Sequence, residues 1–461
     1  MTRPPAHAKP WRTLAAALLG FFILTLDALV VSVALPAIRA DLGGGMTGLQ
    51  WVMDGYTLPF AALLLFAGSL ADRLGARRVF AFGLAAFVVS SAACAFGPTL
   101  AWLVVARGLQ GLGAACMTPA SLALLGEAYP EPAAKARAVG VWAVGGAVAS
   151  AAGPLVGGAL TTLGWELIFL VNLPVGALAA WLLRGVPASP RREVSFDWAG
   201  QGIALLALCA LVFGLIEAGE LGLNDVRVWT ALGLAAASIA AFVVVERVAK
   251  APMVPRSLFR LPAVRTPIAI GFTFMIAFYG MVFAMSLWFQ TERGFSPVET
   301  GLAFVPVTGT SIFAPLLAAR LAERFGAWLP IVLGQASMAL GAFGLAFGLQ
   351  SDTATVIGAM TLVGFGGGTA MPSATSALLN AAPVSLAGTA SGVLNTSRQV
   401  GGALAIAVFG ALLASLGFDV GVRVSLGLGG VAVSSTLVAS FGLRDGSLAP
   451  ERAAPITGES T

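Results

Sequence analysis

The chain has 461 residues, of which 58% are hydrophobic and 10% charged, with 57 glycines and a formal charge of +5. Soluble domains carry about 25% charged residues, and a chain this apolar lacks the polar surface to cover itself in water. Soluble enzymes, disordered chains and nucleic-acid binders are excluded together, and a mean hydropathy of +0.91 indicates a polytopic membrane protein.

Apolar runs of about 20 residues predict fourteen helical spans. They fall near 12–36, 49–70, 79–97, 100–123, 137–161, 165–184, 198–217, 228–246, 267–290, 298–319, 328–349, 354–378, 396–416 and 424–443. With both termini cytoplasmic, the tails and inner loops hold 21 of the 26 lysines and arginines, among them Arg73, Arg77, Arg78, Arg184, Arg191, Arg192, Arg247, Lys250, Arg256, Arg260 and Arg265. Four, Arg39, Arg227, Arg293 and Arg423, fall outside, and Arg107 lies within a span. That bias predicts an inner (cytoplasmic) membrane protein with an even number of helices. It also accounts for the basic pI without nucleic acid. The short, basic, Pro-rich start predicts a first helix that inserts and stays.

Other chemistries find little support. Cys94, Cys116 and Cys209 sit in apolar runs with no paired spacing, which makes them packing residues. The single histidine is His7, in the tail, so no histidine metal site is expected. No Gly-rich loop ends in Gly-Lys-Ser/Thr, so ATP is not the expected energy source. Neither a catalytic cluster nor a cofactor is predicted.

An internal repeat orders the spans. LADRLG at 70–75 recurs as LAERFG at 321–326, an offset of 251; Gly111, Gly113 and Pro119 find Gly364, Gly366 and Pro372 at 253; Gly140 and Val141 find Gly392 and Val393 at 252. Six helices need less chain than that, and the surplus matches the spans at 198–217 and 228–246. The predicted architecture is all-α: a six-helix bundle at 12–184, an inserted hairpin at 198–246, a cytoplasmic connector at 247–266 and a second six-helix bundle at 267–443. Repeats of this kind place a substrate site near midplane where the halves meet.

Five motifs then carry a family resemblance. LDALVVSVALP (26–36), GSLADRLGARR (68–78), RGLQGLGAA (107–115), GPLVGG (153–158) and ASGVLNTSRQVGGALA (390–405) resemble, in order, those of the major facilitator superfamily and its 14-helix drug:proton antiporters. WELIFLVNLPVG (165–176) is similar to a further motif of that group, with Glu166 where Arg is usual; Ala76 and Ala149 are other departures. The resemblance covers residues 12–444. It implies a major-facilitator fold and proton-coupled efflux of hydrophobic or amphipathic drugs by alternating access, with protons, a small-molecule substrate and the bilayer as partners. The alternative is a transporter of one specific metabolite. A membrane enzyme or receptor would need a polar catalytic cluster or sensing domain.

Ionisable groups inside a bilayer are costly and need a partner or a purpose. Asp27, Asp54 and Arg107 fall at similar depth in the outer halves of helices 1, 2 and 4 and are the candidate proton-coupling site. The alternatives are a fixed Asp27–Arg107 pair and a hydrated Asp54 close to the surface. Met360 stands at the repeat position of Arg107, which places proton chemistry in the first half. Gly145, Ala149, Gly153 and Gly157 form a smooth stripe beside Pro154 and, with Gly158, predict either a seal and hinge between the halves or ordinary close packing. Gly68, Asp72, Arg73, Gly75 and Arg77 form the inner loop, which the resemblance implies is a latch, and Gly111 belongs to the helix-4 motif. Trp51, Tyr56, Phe60, Phe274, Phe278, Met281, Met285, Trp288 and Gln290 are the candidate lining of a substrate pocket.

Overall fold

A computed structural model describes residues 10–191, 197–249, 253, 258–259, 261–383 and 386–444. His7, Arg192, Lys250, Arg256, Arg260 and most of the predicted connector lie outside the described residues. A backbone crossing lipid must satisfy its own N–H and C=O groups, and helices do this locally. The described residues accordingly contain helix and no strand.

The helices are α1 (Pro10–Leu42), α2 (Gly45–Leu74), α3 (Ala76–Ala95), α4 (Leu100–Ala128), α5 (Pro132–Thr161), α6 (Leu167–Leu183), α7 (Trp198–Leu221) and α8 (Val226–Val248). After the connector come α9 (Pro262–Thr291), α10 (Pro297–Phe325), α11 (Trp328–Gly348), α12 (Thr353–Ala381), α13 (Ala387–Ser415) and α14 (Phe418–Ser440). Thirteen are long and apolar enough to cross a membrane; α6 is shorter, and its turn at Val171 divides Leu167–Leu170 from Asn172–Leu183. Fourteen passes bring the start of α1 and the end of α14 to one side, here called the terminal face.

Helix ends follow local chemistry. Asp197, Asp225 and Asp352 cap α7, α8 and α12 by accepting from backbone amides at 2.8–3.0 Å, and Ser296 with Glu299 forms a capping box on α10. Gly75 alone separates α2 from α3, at φ 91°, a conformation that penalises any side chain.

The repeat appears in the packing. A Cβ on Gly83 of α3 would lie 2.7 Å from the Gly113 carbonyl of α4, and one on Gly334 of α11 would lie 2.6 Å from that of Gly366 on α12. Gly111 likewise abuts the Tyr56 carbonyl, and Gly364 that of Val307. The first six helices and the last six thus use the same backbone crossings. The inserted hairpin lies along the seam where α2 meets α13. Leu208, Val212 and Ile216 of α7 pack with Leu58 and Ala61 of α2 and Ala403 and Ala407 of α13, and Gln201 donates to the Ala62 carbonyl at 2.7 Å.

Two further features decide which side is open. Along α5 and α10 the halves meet away from the terminal face, where Gly158 of α5 abuts the Pro297 carbonyl and a Cβ on Gly301 of α10 would lie 2.5 Å from the Pro154 carbonyl. Along that line of α5, Gly158 and Pro154 are buried, Ala151 and Ala147 half-buried, and Val144, Gly140 and Arg137 exposed. The seam opens progressively toward the terminal face.

Candidate functional site

Asp27 sits mid-way along α1, fully buried, and α3, α4 and α6 converge on it. Arg107 of α4 binds Asp27 Oδ2 through Nη1, while its Nε donates to the Val52 carbonyl at 3.1 Å. Gln110, one turn on, accepts from the same Nη1 at 2.7 Å and donates to Asp27 Oδ1 at 2.8 Å and to Ser91 Oγ at 2.8 Å. Asn172 of α6 donates to Asp27 Oδ1 at 2.9 Å. Tyr56 closes the guanidinium from α2, its ring centroid 4.4 Å from Arg107 Cζ and its hydroxyl on the Leu24 carbonyl at 3.1 Å. All these side chains are at most 1% exposed. Both oxygens of Asp27 are occupied by donors, so the pair is solvated by protein rather than water.

Asp54 belongs to a different environment. It lies nine residues into α2, because that helix begins at Gly45, and it is fully buried rather than hydrated at a surface. Thr57 donates to its Oδ1 at 2.8 Å, and its Oδ2 has no partner. Gln50, Asp54, Thr57 and Ala61 share one helical face. On that face Gln50 donates to the Ala407 carbonyl at 2.8 Å and Ala61 packs with Ala403. Asp54 therefore faces the other half, whereas Asp27 and Arg107 are enclosed within their own.

The stripe on α5 divides its work. Gly145, Gly153 and Gly157 face Leu18, Leu29 and Val30 of α1, inside the first half, whereas Pro154 and Gly158 meet α10 across the seam. At the terminal face Gly68 lies against Pro119. Ser189 accepts from the Arg77 amide at 3.0 Å and donates to Glu127 at 2.6 Å, fixing the Gly75–Arg77 turn. Asp72 and Arg73 are exposed beside that turn.

The aromatic and methionine candidates scatter. Trp51 packs on Phe213 of the hairpin with centroids 6.1 Å apart. Phe60 lies against Tyr56 at 5.8 Å. Met281, Met285 and Trp288 are buried in the largest core cluster. Gln290 bridges the halves by donating to the Val33 carbonyl at 2.9 Å. Phe278 is half-buried and stacks on Phe274 at 5.6 Å. Gln110, Asn172 and Ser91 did not stand out in the sequence, being uncharged. Their signal was polarity inside an apolar run, to which Gln110 and Asn172 add a place in the 107–115 and 165–176 motifs.

The second half has no ionic counterpart among the described residues. Met360 is buried at the position matching Arg107. Gln335 donates to Ser440 at 2.6 Å and accepts from Thr436 at 2.6 Å, and Thr436 and Thr273 share a bond of 2.8 Å. No group of three or more metal-ligating side chains occurs among the described residues.

Two pseudo-repeated helical bundles, joined at a glycine seam and open on one face, define a polytopic membrane transporter. The family model described as Major Facilitator Superfamily matches residues 17–406, and the chain belongs to that superfamily, whose members are transport proteins rather than enzymes. It is 38% identical over 406 residues to the multidrug resistance protein Stp of Mycobacterium tuberculosis, covering 87% of this chain and 76% of that one. It is 36% identical over 424 residues to the tetracenomycin C resistance and export protein of Streptomyces glaucescens, covering 90% and 78%. Among solved structures, a POT-family transporter in complex with 5-aminolevulinic acid superposes with a TM-score of 0.71 at 15% identity, covering 94% and 96%. That last likeness concerns the fold.

Proposed function

We propose that this protein exports hydrophobic or amphipathic drugs, antibiotics among them, across the cytoplasmic membrane in exchange for protons by alternating access. The terminal face is cytoplasmic in this reading, so the open seam of α5 and α10 receives substrate from inside the cell. The names of the relatives support the cargo, and the positive-inside bias supports the orientation. No bound cofactor is required; the proton gradient supplies the energy.

Asp54 carries the proton in this scheme. The observation that carries the assignment is its unpartnered Oδ2 on the face of α2 turned to the second half. A proton there changes the charge of an inter-half surface, so the two conformations acquire different proton affinities, which is the condition for coupling. Asp27 and Arg107 instead hold α1, α3, α4 and α6 together as one moving body. In proteoliposomes, Asp54→Asn abolishes proton-driven uphill efflux while downhill exchange of substrate persists, since Asn keeps the shape but takes no proton. Wild-type uphill efflux by Asp54→Asn returns the proton role to Asp27.

A further inference from the structure

Among the described residues, four charged side chains lie seven or more residues from either end of their helix: Asp27, Asp54, Arg107 and Arg398. Asp27 and Arg107 neutralise each other. Among the described residues Arg398 has no such partner. The predicted span beginning at 396 put it at a membrane edge, but α13 starts at Ala387, so Arg398 lies eleven residues in, roughly 16 Å along the axis. Its Nη1 reaches only Asn395 Oδ1, at 3.5 Å, and its Nε has no partner. Gln50 meets Ala407 and Leu65 meets Gly392 across the α2–α13 seam, which sets Asp54 level with Ala403, five residues or roughly 7.5 Å beyond Arg398.

The surroundings of this cation are aromatic. Arg398 is half-buried and turns toward α9, where the absent side chain of Gly271 makes room for its stem, 3.0 Å from the position a Cβ would take. Its Cζ lies 5.8 Å from the Phe274 ring, which stacks on Phe278 at an interplanar angle of 16°. Tyr279 is within electrostatic reach of both Arg398 and Arg107 of the other half. A guanidinium with open donors, an amide and a face of stacked rings therefore converge in the second half.

We propose that Arg398 binds an acidic group of the exported compound, so that the preferred substrates are amphipathic aromatic anions such as carboxylic acids or ionised phenols. An uncompensated cation at this depth is costly, and a carboxylate that forks onto it both removes the cost and forms charge-assisted hydrogen bonds. The apolar body of the same molecule lies on Phe274 and Phe278. A neutral ester of the same shape gains the rings but leaves the guanidinium unpaired, and an organic cation is repelled. The inference rests on the exporter reading for its direction of transport, though not for the binding itself.

The test uses three probes with purified full-length protein: 1-pyrenebutyric acid, its methyl ester, and ethidium. Binding is read by fluorescence, and uphill transport is read in proteoliposomes. The wild type binds the acid about tenfold or more tighter than the ester, as expected for a hydrogen-bonded charge. Arg398→Gln removes that preference while leaving ester binding within about twofold, and Arg398→Lys recovers part of it. Retained ester binding also shows that the variant is folded. An unchanged acid-to-ester ratio in Arg398→Gln, or wild-type binding of ethidium as tight as that of the acid, overturns the proposal. Arg398-dependent acid binding without proton-driven transport of any probe leaves the site standing and sinks the exporter reading. Uphill transport of ester and ethidium but not acid does the reverse.

Discussion

The first half holds Asp27, Arg107, Gln110, Asn172 and Ser91 in one dry ionic network. The second half puts Met360 where Arg107 would fall and joins Gln335, Thr436, Thr273 and Ser440 through neutral bonds. Both sit on the same glycine crossings of repeated helices, so the difference lies in the side chains. A buried ion pair is stable only while both members are present, because either one left alone is an unsolvated charge. A neutral network loses its bonds one at a time. The first half is therefore all-or-none in its interior, and the second is tolerant.

The largest effect expected from this contrast is in Arg107→Ala, which strands Asp27 and costs about 3–5 kcal/mol. Folded protein in the membrane should fall sharply, read by fluorescence-detected gel filtration after heating. The double variant Asp27→Leu/Arg107→Met restores much of it, since paired apolar groups leave no stranded charge. A double variant as unstable as Arg107→Ala breaks the comparison.

Next come the glycines that separate packing within a half from packing between halves. Gly153→Leu forces α5 from Leu29 of α1 and lowers the amount of folded protein, with a cost of about 1–3 kcal/mol. Gly158→Leu wedges α5 from α10 and leaves the amount near normal while efflux stops. Equal losses of amount in both variants would show that the seam is as rigid as the bundle. The smallest effect is Gln335→Ala in the second half, about 1 kcal/mol, a shift in midpoint well below that of Arg107→Ala. If the two shifts match, the interiors do not differ in kind.

Much of the layout was legible because a bilayer leaves a chain few options. Fourteen apolar runs became fourteen helices, and the offsets of Gly111 and Gly113 from Gly364 and Gly366 reappear as backbone contacts. Asp27 and Arg107 stood out because each breaks an apolar run. Gln110 and Asn172 complete their cage; both lie in motifs that carry the resemblance, but without charge neither is marked by the sequence as part of a site. Arg398 was obscured by a boundary: Ala387–Asn395 is polar and small enough to read as a loop, yet it forms the first turns of α13. The alternative of a hydrated Asp54 near the surface arose for a similar reason: α2 starts earlier than the predicted span, at Gly45. Trp51 faces the inserted hairpin, a neighbour that spacing along α2 does not reveal. The hairpin at 198–246 had no assignable job in the sequence beyond spacing, and it forms a rear wall to the α2–α13 seam, with a cavity of about 760 Å³ reaching Leu65, Leu208, Phe242 and Thr396.

The glycine contacts also bear on heredity. Gly111, Gly158 and Gly301 each lie against a carbonyl of another helix, and every amino-acid replacement that one base change makes in a glycine codon introduces a Cβ. Neutral drift is closed at these positions. The half-buried rings of Phe274 and Phe278 are not so confined, and replacements there alter shape without separating helices. A lineage under pressure from a new toxic compound is therefore expected to accumulate changes on the aromatic wall while the three glycines stay fixed, and a survey of all single-base variants would show empty columns at 111, 158 and 301.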